Sequence, residues 1–203
     1  MRSIVDRIIN YYLSESLKRS NSVDVFVTEL VACPMKYELR LRYPSLLIQL
    51  NFNEKILIGK LLHHGIEAIL RDLMLISGDN IRTEVPVSGE INGLRIVGRA
   101  DIVLDNEVIE IKTTSSVNNL PRDSHVLQTA IYAKLLNKAR GRLVYFILNN
   151  DKRIIEFDVD PINDDDLTNL IEEFKKRKPT PRYPWECNYC VFKQFCPKRG
   201  DHP

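Results

Sequence analysis

The stretch GRADIVLDNEVIEIKTT, Gly98 to Thr114, constrains the fold more than any other part of the chain. Two runs of alternating apolar and polar residues flank Asp105-Asn106, a pair suited to a two-residue hairpin loop. Counting outward from that loop sets Leu104 against Glu107, Val103 against Val108, Ile102 against Ile109, and Asp101 against Glu110. Directly opposed Cβ atoms stand about 4.5–5.5 Å apart. Lys112 lies two residues beyond Glu110 and shares its face. Ala100, Ile102, Leu104, Ile109 and Ile111 fall on the other face, which reads as a core face. The register thus predicts a cluster of Asp101, Glu110 and Lys112. Two opposed carboxylates repel and raise each other's pKa. A divalent cation between them relieves this, and oxygen ligands suit magnesium or manganese. Lys112 beside such an ion can position a water, help deprotonate it, or steady charge on a phosphate. A solvated hairpin face with an ordinary salt bridge is the plain alternative.

The rest of the chain reads as helices around this sheet. Residues 1–19 predict an amphipathic helix with Ile4, Ile8, Tyr12 and Leu13 on one face. VTELVACPMKYELRLRYP reads as helical segments ending near Pro44, with Pro34 restarting a turn. NEKILIGKLLHHGIEAILRDLMLI is a strong helix with Leu62, Ile66, Ile69, Leu70 and Leu73 on one face, stopped by SGDN. Residues 81–113 read as strands joined by short polar turns. SHVLQTAIYAKLLNK is helical. GRLVYFILNN reads as a strand buried on both faces, with DKRIIEFDVD beside it. DDDLTNLIEEFKKRK is a helix, acidic at its start and basic at its end, as the helix dipole favours. This order predicts one mixed α/β domain over residues 1–203, without internal repeats.

Composition excludes few functions. Of 203 residues, 44% are hydrophobic and 28% charged, and the net charge is +2, so the chain reads as soluble and mildly basic. No apolar run reaches the length of a membrane span. Asp6, Arg7 and Asn10 interrupt the place where a signal peptide needs its apolar region. A cytoplasmic, reducing compartment is expected, in which cysteines serve as ligands more readily than as disulfides.

Further candidates lie on the helices and near the ends. In GKLLHHGIE, His63 and Glu67 flank the apolar stripe one turn apart, whereas His64 points toward solvent. His63 can reach a site at the sheet edge, or it is a boundary histidine with a local partner. Gln128 and Tyr132 are likewise one turn apart, and both can contact a phosphate or a base. Cys187, Cys190 and Cys196 alone resemble half a zinc site, and Cys33 completes four thiols. Lys36, Tyr37, Arg40 and Arg42, with Tyr43, form one basic–aromatic run. Arg182 and Tyr183, with Trp185 and Lys175, Lys176 and Lys178, form another. Each is a candidate single-strand DNA contact or a solvated charged face.

Taken in order, these residues carry a resemblance. Gly59-x-x-x-His63-x-x-x-Glu67, then Gly98-x-x-Asp101, Glu110-x-Lys112 and Gln128-x-x-x-Tyr132 resemble the RecB-type branch of the PD-(D/E)xK nucleases. One cysteine near the N-terminus and three near the C-terminus are similar to the fourth CRISPR-associated (Cas) protein family, and to AddB-type and helicase–nuclease domains. The resemblance runs from about Thr28 to Pro197, and the absence of a helicase motor favours the Cas family.

The resemblance implies a restriction-endonuclease-like mixed sheet flanked by helices, with an N-terminal helical region. The core would span 55–175, and 28–45 and 180–203 would form a clasp. It implies that His63, Asp101, Glu110 and the Ile111 main-chain carbonyl hold manganese or magnesium. Lys112 would assist the attacking water, and Gln128, Tyr132 and Glu67 would complete the catalytic set. Cys33, Cys187, Cys190 and Cys196 would hold an iron–sulfur cluster, usually 4Fe-4S and in some members 2Fe-2S. The implied activity is metal-dependent DNA cleavage, mainly exonucleolytic on single strands with 5′ to 3′ polarity. It would process DNA ends for spacer acquisition beside the CRISPR integrase, with homo-oligomers possible. The alternatives are a non-catalytic DNA-end or PAM-recognition subunit, a RecB-like repair nuclease, and a zinc-stabilised interaction protein.

Overall fold

The computed structural model describes residues 3–48, 54–77, 80–149 and 153–198. Helix α1 (Ile4–Ser20) leads into a two-residue strand β1 (Val25–Phe26), then short helices α2 (Val27–Leu30), α3 (Met35–Arg42) and α4 (Ser45–Ile48). The long helix α5 (Glu54–Ser77) precedes strands β2 (Ile81–Ile91), β3 (Leu94–Leu104) and β4 (Glu107–Thr114). Helix α6 (Asp123–Leu135), strands β5 (Arg140–Ile147) and β6 (Ile154–Val159), and helix α7 (Asp164–Lys175) follow. Strand β1 has no signal in the sequence, since two residues show no periodicity. Gly78 and Asp79 of the expected stop after α5, and residues 199–203 of the expected clasp, lie outside the described residues.

The sheet is mixed, and β3 is its spine. β2 pairs antiparallel with β3 from Ile81↔Leu104 to Ile91↔Leu94, turning at Asn92-Gly93. Both turn residues have positive φ, 50° and 70°, the geometry that favours Asn-Gly in a tight hairpin. The other edge of β3 is shared. β1 runs parallel to it at Ile96 and Val97, and β4 runs antiparallel to it at Ile102, Val103 and Leu104. Among the described residues no strand pairs with Gly98–Asp101 on that edge, so the sheet is split there. β4 continues parallel to β5, with α6 as the crossover that a parallel pair needs, and β6 closes the far edge antiparallel.

Helices cover both faces. Val103 and Val108 pack with Leu30, Ile131, Ile171 and Phe174, beneath α2, α6 and α7. Ile102 and Ile111 pack with Ile81 beneath Ile66, Leu70 and Met74 of α5. The hairpin register is the expected one at its three inner pairs. Ala100, expected beside Ile102, packs instead with Val85, Val87 and Ile96. The pairing of β2 with β3 skips Glu84, whose φ is 54°, so the strands are distorted beside Asp101. Three further expectations change. Ile69 and Leu73 of α5 are exposed, at 61% and 46%, because the buried stripe follows Ile66, Leu70 and Met74 one position round the helix. Ile4 is exposed, and Tyr12 alone of its expected face is fully buried. Strand β5 alternates instead of burying both faces: Gly141, Leu143, Tyr145 and Ile147 are buried and their neighbours partly so.

Helix α7 starts as its composition requires. Asn163 caps it by accepting the Asp166 N–H at 2.8 Å, and Asp164, Asp165 and Asp166 occupy the first turn.

Candidate active site

The split in β3 is where the side chains converge. Strand β4 supplies Glu110 and Lys112, β3 supplies Asp101, α5 supplies His63 and Glu67, and α6 supplies Gln128 and Tyr132. All line one cavity of about 1190 Å³. Gly98 is required here: a Cβ at this position would lie 2.6 Å from the Tyr132 ring. The phenol thus lies directly on the β3 backbone, over the unpaired edge.

Asp101 and Glu110 are not a ladder pair. The β3–β4 ladder ends at Ile102↔Ile109, and Asp101 Oδ2 instead accepts the Ile111 N–H at 2.8 Å. A side chain has replaced the next main-chain partner, which spreads the strands and keeps both carboxyls beside the cavity. His63 Nδ1 stands 3.5 Å from Asp101 Oδ2. Glu110 Oε1 accepts from Lys112 Nζ at 2.6 Å and from Gln128 Nε2 at 2.7 Å. Its other oxygen, Oε2, is buried without a hydrogen-bond partner. Among the described residues, no three His, Cys, Asp or Glu side chains converge closely enough to hold a single ion.

The charges divide the carboxyls into two states. Burial, then the neighbouring Asp101 charge, pushes Glu110 up to about 7. Burial, then the contact with Glu84, pushes Glu67 up to about 7 as well. Burial also opposes ionisation of Asp101, but the His63 hydrogen bond and charge, Lys112 and the Ile111 N–H outweigh it and hold Asp101 below its ordinary value. Lys112 is the mirror case. Burial alone would lower it, and the Glu110 and Asp101 carboxylates hold it above its ordinary value, as an ammonium. Burial and the Glu110 charge push Tyr132 up to about 12, so it stays a phenol.

His64 keeps its side chain 40% exposed, as its helical position suggested, but it also has partners on the cavity wall. Its Nδ1 lies 3.2 Å from Glu67 Oε2, and its ring stacks on Tyr12 at 5.8 Å. Glu84, which lines the cavity and pairs with Arg99, was not anticipated. It is one of many acidic residues on alternating strands, and only the skip in the β2–β3 pairing marks it.

A second constellation joins the chain ends. Cys33, Cys187, Cys190 and Cys196 line one small cavity of about 20 Å³. Burial pushes Cys33 up to about 11 and raises Cys190. Glu186, 2% exposed, ties the two segments: its Oε1 accepts the Cys33 N–H at 2.7 Å and meets Lys36 Nζ at 2.6 Å, and its Oε2 accepts the Arg182 N–H at 3.0 Å. Nothing in the sequence separates Glu186 from an exposed acid beside a cysteine.

The two expected DNA-contact runs divide sharply. Arg40 and Tyr37 are not on a groove. Arg40, 1% exposed, pairs with Glu29 at 2.5 Å and donates to the carbonyls of Arg19, Ser22 and Asp24. Tyr37 is buried and donates its hydroxyl to the Val23 carbonyl at 2.6 Å. Both bind α3 to the preceding turn, because every second or third residue of a short covered helix must face inward. Arg42 is exposed. Lys36 is committed to Glu186, and Arg182 donates to the Ala32 carbonyl and to Glu173. Tyr183 stacks on the exposed Trp185 at 5.5 Å.

Comparison with known proteins agrees with this architecture. Residues 74–197 match the family model of the PD-(D/E)XK nuclease superfamily. The chain is 32% identical to the CRISPR-associated exonuclease Cas4 of Saccharolobus solfataricus, over 97% of this chain and 98% of that protein. It is similar to the crystal structure of SSO0001, with a TM-score of 0.81 and 32% identity over 97% and 98% of the two chains. The fold is also similar to an alkaline exonuclease from Laribacter hongkongensis, with a TM-score of 0.54 and 15% identity over 80% of this chain and 90% of that one.

Proposed function

Since this chain belongs to the PD-(D/E)XK nuclease superfamily, and within it to the family of the CRISPR-associated exonuclease Cas4, we propose that it is a divalent-metal-dependent DNA exonuclease. It acts mainly on single strands, 5′ to 3′, and processes DNA ends for spacer acquisition beside the CRISPR integrase. The observation that carries this reading is the gathering of Asp101, Glu110 and Lys112 on one cavity, with Glu110 Oε2 buried and unpartnered. An orphaned buried carboxylate oxygen beside an ionised aspartate fits a hard cation.

His63, Asp101, Glu110 and the Ile111 carbonyl are the residues that would hold manganese or magnesium, and to do so they would have to draw closer together than they stand here. When bound, the ion polarises the phosphate and acidifies a water. Lys112, kept as an ammonium by Glu110, steadies charge developing on the phosphate oxygens. Gln128 fixes Glu110 through Oε1, which leaves Oε2 as the oxygen for other partners. Glu67 holds a proton to near neutrality and is placed to exchange it with the cavity. Tyr132 keeps the α6 side of the site closed against Gly98.

The same reading assigns the four cysteines to an iron–sulfur cluster of the 4Fe-4S type. Four thiols from the two chain ends line one small cavity, a donor set that suits such a cluster. Residues 28–45 and 180–203 then form a clasp on a core spanning 55–175, within one domain. No helix among the described residues is long and apolar enough to cross a membrane.

The test is degradation of end-labelled single-stranded DNA in manganese by the purified protein, beside Asp101→Ala and Lys112→Ala. The wild type should shorten the 5′-labelled strand from its labelled end, and both variants should not. Equal degradation by all three would sink the assignment.

A further inference from the structure

Part of the cavity lining is aromatic. Tyr11, Tyr12, Lys60 and His64 line the cavity together with Asp101 and Glu110. Tyr12 is held between two partners, with the His64 ring stacked on it at 5.8 Å and 24° and Lys60 Nζ 4.5 Å from its centroid. Tyr11 meets Tyr12 edge-on at 5.2 Å and 70°. Tyr11 itself remains 54% exposed while lining the cavity. His64 is anchored by Glu67, and its side chain is 40% exposed.

The wall is adjacent to the chemistry. His63 and His64 are consecutive on α5, about 100° apart round the helix. His63 turns to Asp101 and His64 to the tyrosines. A single strand entering the cavity toward Asp101 and Glu110 can therefore run along this wall. Helix α1 has little other role in the core, since Tyr12 is its only fully buried hydrophobic residue among those described. An exposed aromatic face with an ammonium beside it is how sequence-tolerant single-strand sites hold a base.

We propose that Tyr11 and His64, backed by Tyr12 and Lys60, form a stacking subsite for a base of a single DNA strand bound in the same cavity as Asp101 and Glu110. The proposal rests on the DNA-nuclease reading above for its ligand, and it adds α1 to the substrate path. It differs from the basic–aromatic runs beside the cysteines, which lie on other segments.

The experiment is equilibrium binding of a fluorescent single-stranded oligonucleotide in chelator, where cleavage is off, to wild type, Tyr11→Ala and Tyr11→Phe. Tyr11→Ala should bind about tenfold more weakly, and Tyr11→Phe, which keeps the ring, like wild type. With an abasic oligonucleotide the difference between wild type and Tyr11→Ala should vanish. Matching circular dichroism and melting temperature for the two variants separates lost stacking from misfolding. Equal binding by wild type and a folded Tyr11→Ala would overturn the subsite, as would an equal tenfold loss on abasic DNA. If wild type fails to cleave in manganese while the stacking pattern holds, the nuclease reading falls and the subsite stands.

Discussion

Around Asp101 each functional side chain is tied to another by a short contact: Asp101 to His63 and the Ile111 N–H, Glu110 to Lys112 and Gln128. Around Cys33 the four thiols are brought together by turns, by the Glu186 carboxylate from a segment 153 residues away, and by the Arg182 bond to the Ala32 carbonyl. The first site sits on a sheet with hydrophobic packing on both faces, and the fold would form it without any added group. The second joins the two ends of the chain. At the first site the fold makes the chemistry; at the second, the bound group would help to make the fold.

That contrast is open to direct challenge. The largest effect is expected at the clasp. By analogy with a crosslink closing a loop of this length, Cys33→Ala should cost about 4 kcal/mol of stability, or roughly 10 °C in melting temperature, and bleach absorbance near 400 nm. Unchanged melting and colour would show that the clasp holds nothing. Lys112→Ala should instead lower cleavage by about 10²–10³-fold and leave the melting temperature within a few degrees. A large loss of stability there would erase the distinction between the two sites.

Gly98→Ala should cost about 1–3 kcal/mol, because its methyl group meets the Tyr132 ring and must push α6 away from β3. Reduced cleavage with normal iron content would confine the damage to the sheet site. A pH series probes the same region without mutation. Glu110 is pushed up to about 7 from an ordinary 4.5. The folded chain then binds more protons than the unfolded chain between those values. The ion-free protein should therefore lose stability as pH rises from about 4.5 through about 7 and level off above. Glu67 and His63 are raised too and act in the same direction, whereas lowered Asp101 acts the opposite way at acid pH. Melting in chelator should show the fall, Glu110→Gln should flatten part of it, and manganese should oppose it. The smallest effect is expected at Arg42, which is exposed. If it contacts DNA as the sequence suggests, Arg42→Ala should leave stability unchanged and reduce the slope of log affinity against log salt by about 0.7.

Much of the candidate site was legible because it is built from short spacings. A two-residue loop at Asp105-Asn106 sets the β3–β4 register, and the register sets the faces of Asp101, Glu110 and Lys112. One-turn spacing likewise places His63 with Glu67 and Gln128 with Tyr132. Tyr37 and Arg40 were misplaced because local pattern cannot tell a basic surface from a buried arginine whose partners, Glu29 and three carbonyls, come from other turns. Ile69 and Leu73 were misplaced because an apolar residue one position round a helix differs in burial only through what packs against it.

The sequence by itself determined the elements other than β1, the inner hairpin register and the four cysteines at the two ends, since these follow from backbone sterics, periodicity and ligand chemistry within a few residues. Only the tertiary structure decided the split edge at Gly98–Asp101, the pairing of Asp101 with the Ile111 N–H, the burial of Glu186 beside Cys33, and the turning of His64 onto Tyr12. Each of these depends on which distant segment fills the space beside a residue, and that is set by packing of the whole chain.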